Sequence, residues 1–138
     1  MDTDEMHRRG LALRQAMFGE AGVAERMKAF GDLGAPLQHV INAYVYGDVW
    51  QRGGLSPRER SIAMVAMMAA AGQPNELRVH LKGAVANGCS RADIQDILLL
   101  ATMYCGIPAG IDAHRIAVEV LGAEAGAPEA AAAPKPPA

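Results

Sequence analysis

Apolar residues recur along this chain at intervals of three and four, interrupted by glycines and prolines. No segment shows the two-residue alternation of a half-buried strand bounded by hairpin turns, so the pattern predicts helices throughout. Asp2, Thr3 and Asp4 offer N-caps to a first helix that ends near Phe18, with Leu11, Leu13, Met17 and Phe18 on its apolar face. Gly19 and Gly22 interrupt the pattern. A short second helix is predicted over 21–30, before Gly31 and Gly34 break the chain again. A third is predicted from Pro36 to about Trp50, where Leu37, Val40, Ile41, Tyr44, Val45 and Asp48 keep a mostly apolar three-four spacing. QRGGL then reads as a loop.

Ser56-Pro57-Arg58-Glu59 is a helix start: Ser56 can cap, Pro57 fits the first turn, and Glu59 completes a capping box. The helix it opens is apolar on nearly every side from Ile62 to Met68 and ends at Gly72. Such a helix belongs in the centre of a core or against another subunit. Pro74 opens the next helix and Asn87-Gly88 closes it. Ser90 starts another, with Asp93 as the capping-box acid and Ile94, Ile97, Leu98 and Ala101 as its buried stripe. Gly106 ends it, and Pro108 starts the last helix, which carries Ile111, Arg115, Val118, Val120 and Leu121 and stops at Gly122. The expected class is all-α, with about six to seven helices in one domain over residues 1–122. Residues 123–138, AEAGAPEAAAAPKPPA, have no packing face and read as a flexible tail.

Composition narrows the function classes. Hydrophobic residues make up 51% of the 138 and aromatic ones only 4%, so alanine, leucine and methionine carry the core. A net charge of −2 excludes the basic excess of an electrostatic nucleic-acid binder. No basic run suggests a membrane patch, the N-terminus lacks the apolar stretch of a signal peptide, and Ile62–Gly72 is too short to span a bilayer. A cytoplasmic location is the default expectation. The two cysteines, Cys89 and Cys105, form no CxxC, which favours free thiols over a disulfide. His7, His39, His80 and His114 are scattered without HxxxH or HExxH spacing, so no metal is expected.

The candidate chemistry lies on the helix of Glu76 and His80, which are four residues apart and share a face that Gly83, Ala84 and Asn87 extend. A carboxylate one turn from an imidazole can orient the ring and favour its protonated form, which suits general acid–base work. Spacing alone leaves open a surface pair worth only tenths of a kcal/mol. Arg60, Arg78 and Arg115 could each grip a carboxylate with a guanidinium fork, or be solvated. Arg78 points to a different face from Glu76 and His80, and Arg60 opens the very apolar helix. Tyr44, Tyr46 and Trp50 cluster in sequence as core packing or as a pocket wall. Cys105 at a helix C-terminus faces the negative end of the dipole, a poor place for a thiolate. Cys89 before an N-cap is better placed but has no histidine near it in sequence.

The stretch from Gly47 to Leu121 carries a W-x-R-x-G-L loop at 50–55, Arg60, an E-L-R-x-H-x-x-G-A-x-x-N-G block at 76–88 and Y-C-G-x-P-A at 104–109. In these features the chain closely resembles the carboxymuconolactone decarboxylase family over roughly residues 10 to 121. The resemblance implies an alkylhydroperoxidase D-like helical subunit that assembles into a ring, as a hexamer or trimer of identical chains. It implies a cofactor-free loss of CO2 from 4-carboxymuconolactone, giving 3-oxoadipate enol-lactone in protocatechuate catabolism. On that expectation His80 delivers or relays a proton, Glu76 tunes and orients it, Arg60 anchors a substrate carboxylate, and Tyr44, Trp50 and Tyr104 line the pocket. Glu59 resembles an acid that some superfamily members carry at the start of the preceding helix, and is a further candidate.

Redox relatives in the wider superfamily use a CxxC with a histidine four residues after the second cysteine. Here those positions are Gln73, Glu76 and His80, so both cysteines are missing. A peroxiredoxin-type antioxidant is therefore the alternative reading, beside a family member that acts on, or binds, another carboxylated lactone.

Overall fold

The computed structural model describes residues 1–124. The tail expected from residue 123 lies, from residue 125 on, outside the described residues. Every regular element among the described residues is helical, as the apolar spacing predicts. The helices fall into an N-terminal unit, Met1–Ser56, and a C-terminal unit that begins at Pro57.

In the N-terminal unit, α1 spans Thr3–Phe18. The Asp2 carboxylate caps it by accepting from the Glu5 N–H at 2.8 Å, and Asp4 and Glu5 place negative charge at the positive end of the helix dipole. Helix α2, Glu20–Val40, consists of two helical stretches that meet at a kink, so the break expected at Gly31 is present but no loop separates the two stretches. Gly31 alone leaves helical geometry, at φ 55 and ψ −154, and so ends the first stretch and redirects the chain into the second. Gly34 stays helical and buried, because a Cβ there would overlap Phe30.

The predicted helix to Trp50 is also corrected. From Ile41 to Tyr46 the backbone widens into a π-helix, followed by a 3₁₀ turn at Val49–Gln51. Two glycines let α1 meet this segment backbone to backbone. A Cβ on Gly10 would overlap the Asn42 carbonyl, and one on Gly47 would overlap the carbonyls of Met6 and Ala43. Inside the contact, the buried Arg14 donates through Nη1 to Gln38 Oε1 (2.7 Å) and Asn42 Oδ1 (3.0 Å), tying α1 to α2 and to the π-helix. Tyr46 stacks on Trp50 at 5.6 Å between centroids and meets Phe18 edge-on.

The C-terminal unit holds α3 (Pro57–Ala71), α4 (Pro74–Ala86), α5 (Arg91–Cys105) and α6 (Ile107–Leu121). The capping box expected at Ser90 and Asp93 is present in both directions, at 3.0 and 2.8 Å. The expected stripe of Ile94, Ile97, Leu98 and Ala101 is buried, and packs with Val65, Leu77, Leu81, Ala113, Ala117 and Val120. Each fully buried leucine or isoleucine in this core contributes roughly 1.5–3 kcal/mol of transfer free energy. Helix α3 is less enclosed than its composition predicts: it buries Ser61, Val65 and Ala69, while Met67 is half exposed. Helices α5 and α6 are joined by Gly106 alone, at φ 103, and touch closely because Gly110 has no Cβ to overlap the Thr102 hydroxyl.

Candidate active site

Pro74 fixes the first turn of α4 and places Glu76 in it, where the helix dipole favours an anion. One turn later comes His80. Its side chain is buried, only 5% exposed, while that of Glu76 is 58% exposed. The Nε2–Oε2 distance is 3.8 Å, outside direct hydrogen-bond range but within ion-pair range. The His80 Nδ1 is buried as well. Leu77, Leu81, Gly83 and Ala84 are buried around it along α4. The arrangement is an imidazole in a low-dielectric setting with its Nε2 edge turned toward a hydrated carboxylate. Such a pair has the spacing of a general acid–base relay between a buried site and solvent.

The three candidate arginines separate clearly. Arg78 forms a fork on Glu119 of α6, at 2.6 and 3.1 Å, and also donates to Asn75, so it clamps α4 to α6. That fork holds the Glu119 carboxyl below the usual carboxylate range. Arg115 lies in solvent on α6, 4.0 Å from Asp112. Arg60 is half-buried on α3, beside an exposed Glu59. Its neighbour Arg58 pairs with Asp93 at 2.8 Å. The Asp93 carboxyl is held low chiefly by the Ser90 backbone N–H, and then by Arg58.

Of the aromatic candidates, Trp50 is buried against Tyr46 in the N-terminal unit. Tyr44, on the π-helix of that unit, is half exposed and outside the stack. Tyr104 stands 87% exposed near the end of α5. The structure therefore brings Glu76 and His80 together as a pair and leaves Tyr104 open to solvent. A hollow of about 630 Å³ between α3, α4 and α6 lies on the Arg78 side of α4, and neither Glu76 nor His80 is among its walls.

Two polar contacts were not anticipated from sequence. Ser61, fully buried on α3, accepts from Nδ2 of Asn87, the residue that caps the C-terminus of α4, at 2.9 Å, and Arg14 bridges Gln38 and Asn42 inside the N-terminal unit. A serine inside an otherwise apolar helix, and an arginine one turn after a glycine on an apolar face, were the signals available. The thiols do not form a pair. Cys89 is buried, and burial pushes its thiol up, with the Arg58 charge only partly offsetting this; Cys105 is exposed. His7 and His39 stack at 5.1 Å, and His114 Nδ1 donates to the Gly110 carbonyl at 2.6 Å.

A small all-helical chain with a buried histidine and an acid on its fourth helix invites comparison with known proteins. The model of the carboxymuconolactone decarboxylase family matches residues 35–119. The chain is 31% identical over 121 residues to a 4-carboxymuconolactone decarboxylase of Acinetobacter baylyi, covering 88% of this chain and 90% of the relative. It is 32% identical over 114 residues to a nitrosuccinic acid decarboxylase of Metarhizium robertsii, covering 80% of each. The chain belongs to the carboxymuconolactone decarboxylase family, as the motifs at 50–55, 76–88 and 104–109 imply.

Proposed function

We propose that this protein is a cofactor-independent carboxy-lyase that removes CO2 from 4-carboxymuconolactone and releases 3-oxoadipate enol-lactone. The observation that carries the reading is the buried His80 with Nε2 3.8 Å from the exposed Glu76 carboxylate. Two relatives that are decarboxylases by name support the reaction class. In the reaction, the bond from carbon to the leaving carboxylate breaks heterolytically, and its electron pair moves into the conjugated lactone carbonyl. CO2 departs, and His80 delivers a proton to carbon. Glu76, reaching water, returns a proton to the imidazole. Arg60 holds a substrate carboxylate, and Glu59 stands near the carboxylate anchor. Burial of His80 keeps the proton where substrate charge is poorly screened, the setting in which fixed charges contribute most to rate.

The reading treats residues 1–122 as one catalytic domain that assembles with copies of itself, as a trimer or hexamer, in the cytoplasm. No helix among the described residues is long and apolar enough to cross a membrane. The antioxidant alternative has less support, since Gln73 and Glu76 stand where its cysteines would be and the Cys89 thiol is pushed up.

The deciding experiment incubates purified protein with 4-carboxymuconolactone and follows CO2 release. Turnover supports the assignment. No turnover at micromolar enzyme overturns it. Activity on nitrosuccinate instead would keep the reaction class and change the substrate.

A further inference from the structure

The C-terminal unit leaves one face of its α5–α6 pair uncovered. Leu99, Leu100, Met103 and Tyr104 on α5, with Ile107, Ile111 and Val118 on α6, are between 44% and 87% exposed. Their spacing along α6, at i, i+4 and i+11, is that of a continuous helical stripe. Taking roughly 150–250 Å² for the tyrosine and less for each aliphatic side chain, these residues present on the order of 600 Å² of apolar surface. That is at the upper end of the roughly 300–600 Å² of the largest patch on a typical monomer. It supplies most of the about 800 Å² that each partner contributes to a standard stable interface.

This face carries both a projection and a hollow. Met103 and Tyr104 project from the end of α5. Beside them lies a hollow of about 500 Å³ walled by Leu99, Ile107, Ile111 and Val118. The hollow exists because Gly110 and Thr102 meet at its floor and no long side chain fills the seam. Two polar groups of that floor are already satisfied internally: the Thr102 hydroxyl donates to the Leu98 carbonyl at 2.7 Å, and His114 Nδ1 to the Gly110 carbonyl. Covering these two groups with an apolar surface therefore leaves neither of their hydrogen bonds unmade. The edges carry opposite charges, Asp96 on α5 and Arg115 on α6. A projection and a hollow on one surface are what an isologous contact requires, since each copy then fills the other.

We infer that the α5–α6 face is the contact by which two copies of this chain pair about a two-fold axis, with Met103 and Tyr104 of each seated in the hollow of the other. The inference rests on the reading of the chain as a self-associating protein and adds which surface does it. It also encloses Tyr104, which a single copy leaves in solvent.

Sedimentation velocity of the full chain tests it, across micromolar to near-millimolar concentration. Wild type and the Lys82→Glu control, exposed on α4, are expected to sediment as a dimer or a multiple of one. Leu99→Asp and Met103→Asp, checked for helicity by circular dichroism, are expected to weaken association at least tenfold. Oxidation of Met103 by dilute hydrogen peroxide gives a reading on the unmodified protein. Relative to added free methionine, it is expected to slow at least threefold on going from dilute to concentrated protein. A wild-type chain that stays monomeric throughout, whether or not it binds lipid vesicles, overturns both this face and the assembly reading. Wild type that assembles only as a trimer, wild type that assembles with Met103 oxidised at an unchanged rate, or folded variants that assemble equally well, overturns the face alone.

Discussion

His80 is buried while Glu76, one turn before it on α4, is exposed, and only 3.8 Å separates Nε2 from the carboxylate. One residue is shielded from water and the other is open to it, which is the geometry that the proposed proton relay uses. Replacement of His80 by alanine is expected to lower turnover of the carboxylated lactone by about 10²–10⁴-fold, the usual worth of a general acid. Retention of turnover within threefold would remove His80 from proton transfer. Glu76→Gln is expected to have a smaller effect, because water can re-protonate an imidazole less directly.

The contact between α1 and the π-helix makes a sharp stability prediction. Gly10→Ala drives a methyl group into the Asn42 carbonyl, and is expected to cost about 1–3 kcal/mol or more as an overpacked site. Gly22→Ala, in the same unit, points into open space within α2 and is expected to stabilise by about 0.4–1 kcal/mol. Urea denaturation of the two variants beside wild type checks both signs.

Thiol reactivity follows from burial. Because its pKa is raised, Cys89 holds less thiolate than a free cysteine at any given pH, and it is also shielded. A chromogenic disulfide reagent at mildly alkaline pH is expected to titrate one thiol per chain rapidly, and the second only after unfolding. The fast phase should vanish in Cys105→Ser and persist in Cys89→Ser.

Acid sensitivity follows from the carboxyls of Asp93 and Glu119. Both are held below their ordinary values in the folded chain, Asp93 by the Ser90 N–H and Arg58, Glu119 by Arg78. A folded-state pKa below the unfolded one contributes stability above the ordinary carboxylate range and loses it as pH falls through the lowered value. The double variant Asp93→Asn, Glu119→Gln is therefore expected to melt below wild type at neutral pH. The gap should close as pH drops under about 4, where wild-type carboxyls begin to protonate. A gap that stays constant with pH would assign the difference to packing instead.

The helix boundaries of the C-terminal unit were legible residue by residue. Pro74, the Ser90–Asp93 box and Gly106 act locally, through missing donors, side-chain caps and a positive φ, so adjacent residues suffice to read them. The N-terminal unit was not legible in the same way. Gly31 and Gly34 look alike in sequence, yet one kinks α2 and the other lies inside it because Phe30 needs the space. The π-helix answers to α1, whose Gly10 and Arg14 meet Asn42 from 32 and 28 positions away, and no local propensity encodes it.

The same division holds for the site. The sequence by itself determined the helical class, the family and the placing of Glu76 and His80 on one face, because a four-residue spacing fixes that geometry in any α-helix. Only the tertiary structure decided that the histidine is buried and the acid exposed, that Arg78 is spent on Glu119, and that Tyr104 stands open on an apolar face. Burial and partner choice depend on which surfaces distant helices press together, and periodicity along one helix carries no information about its neighbours.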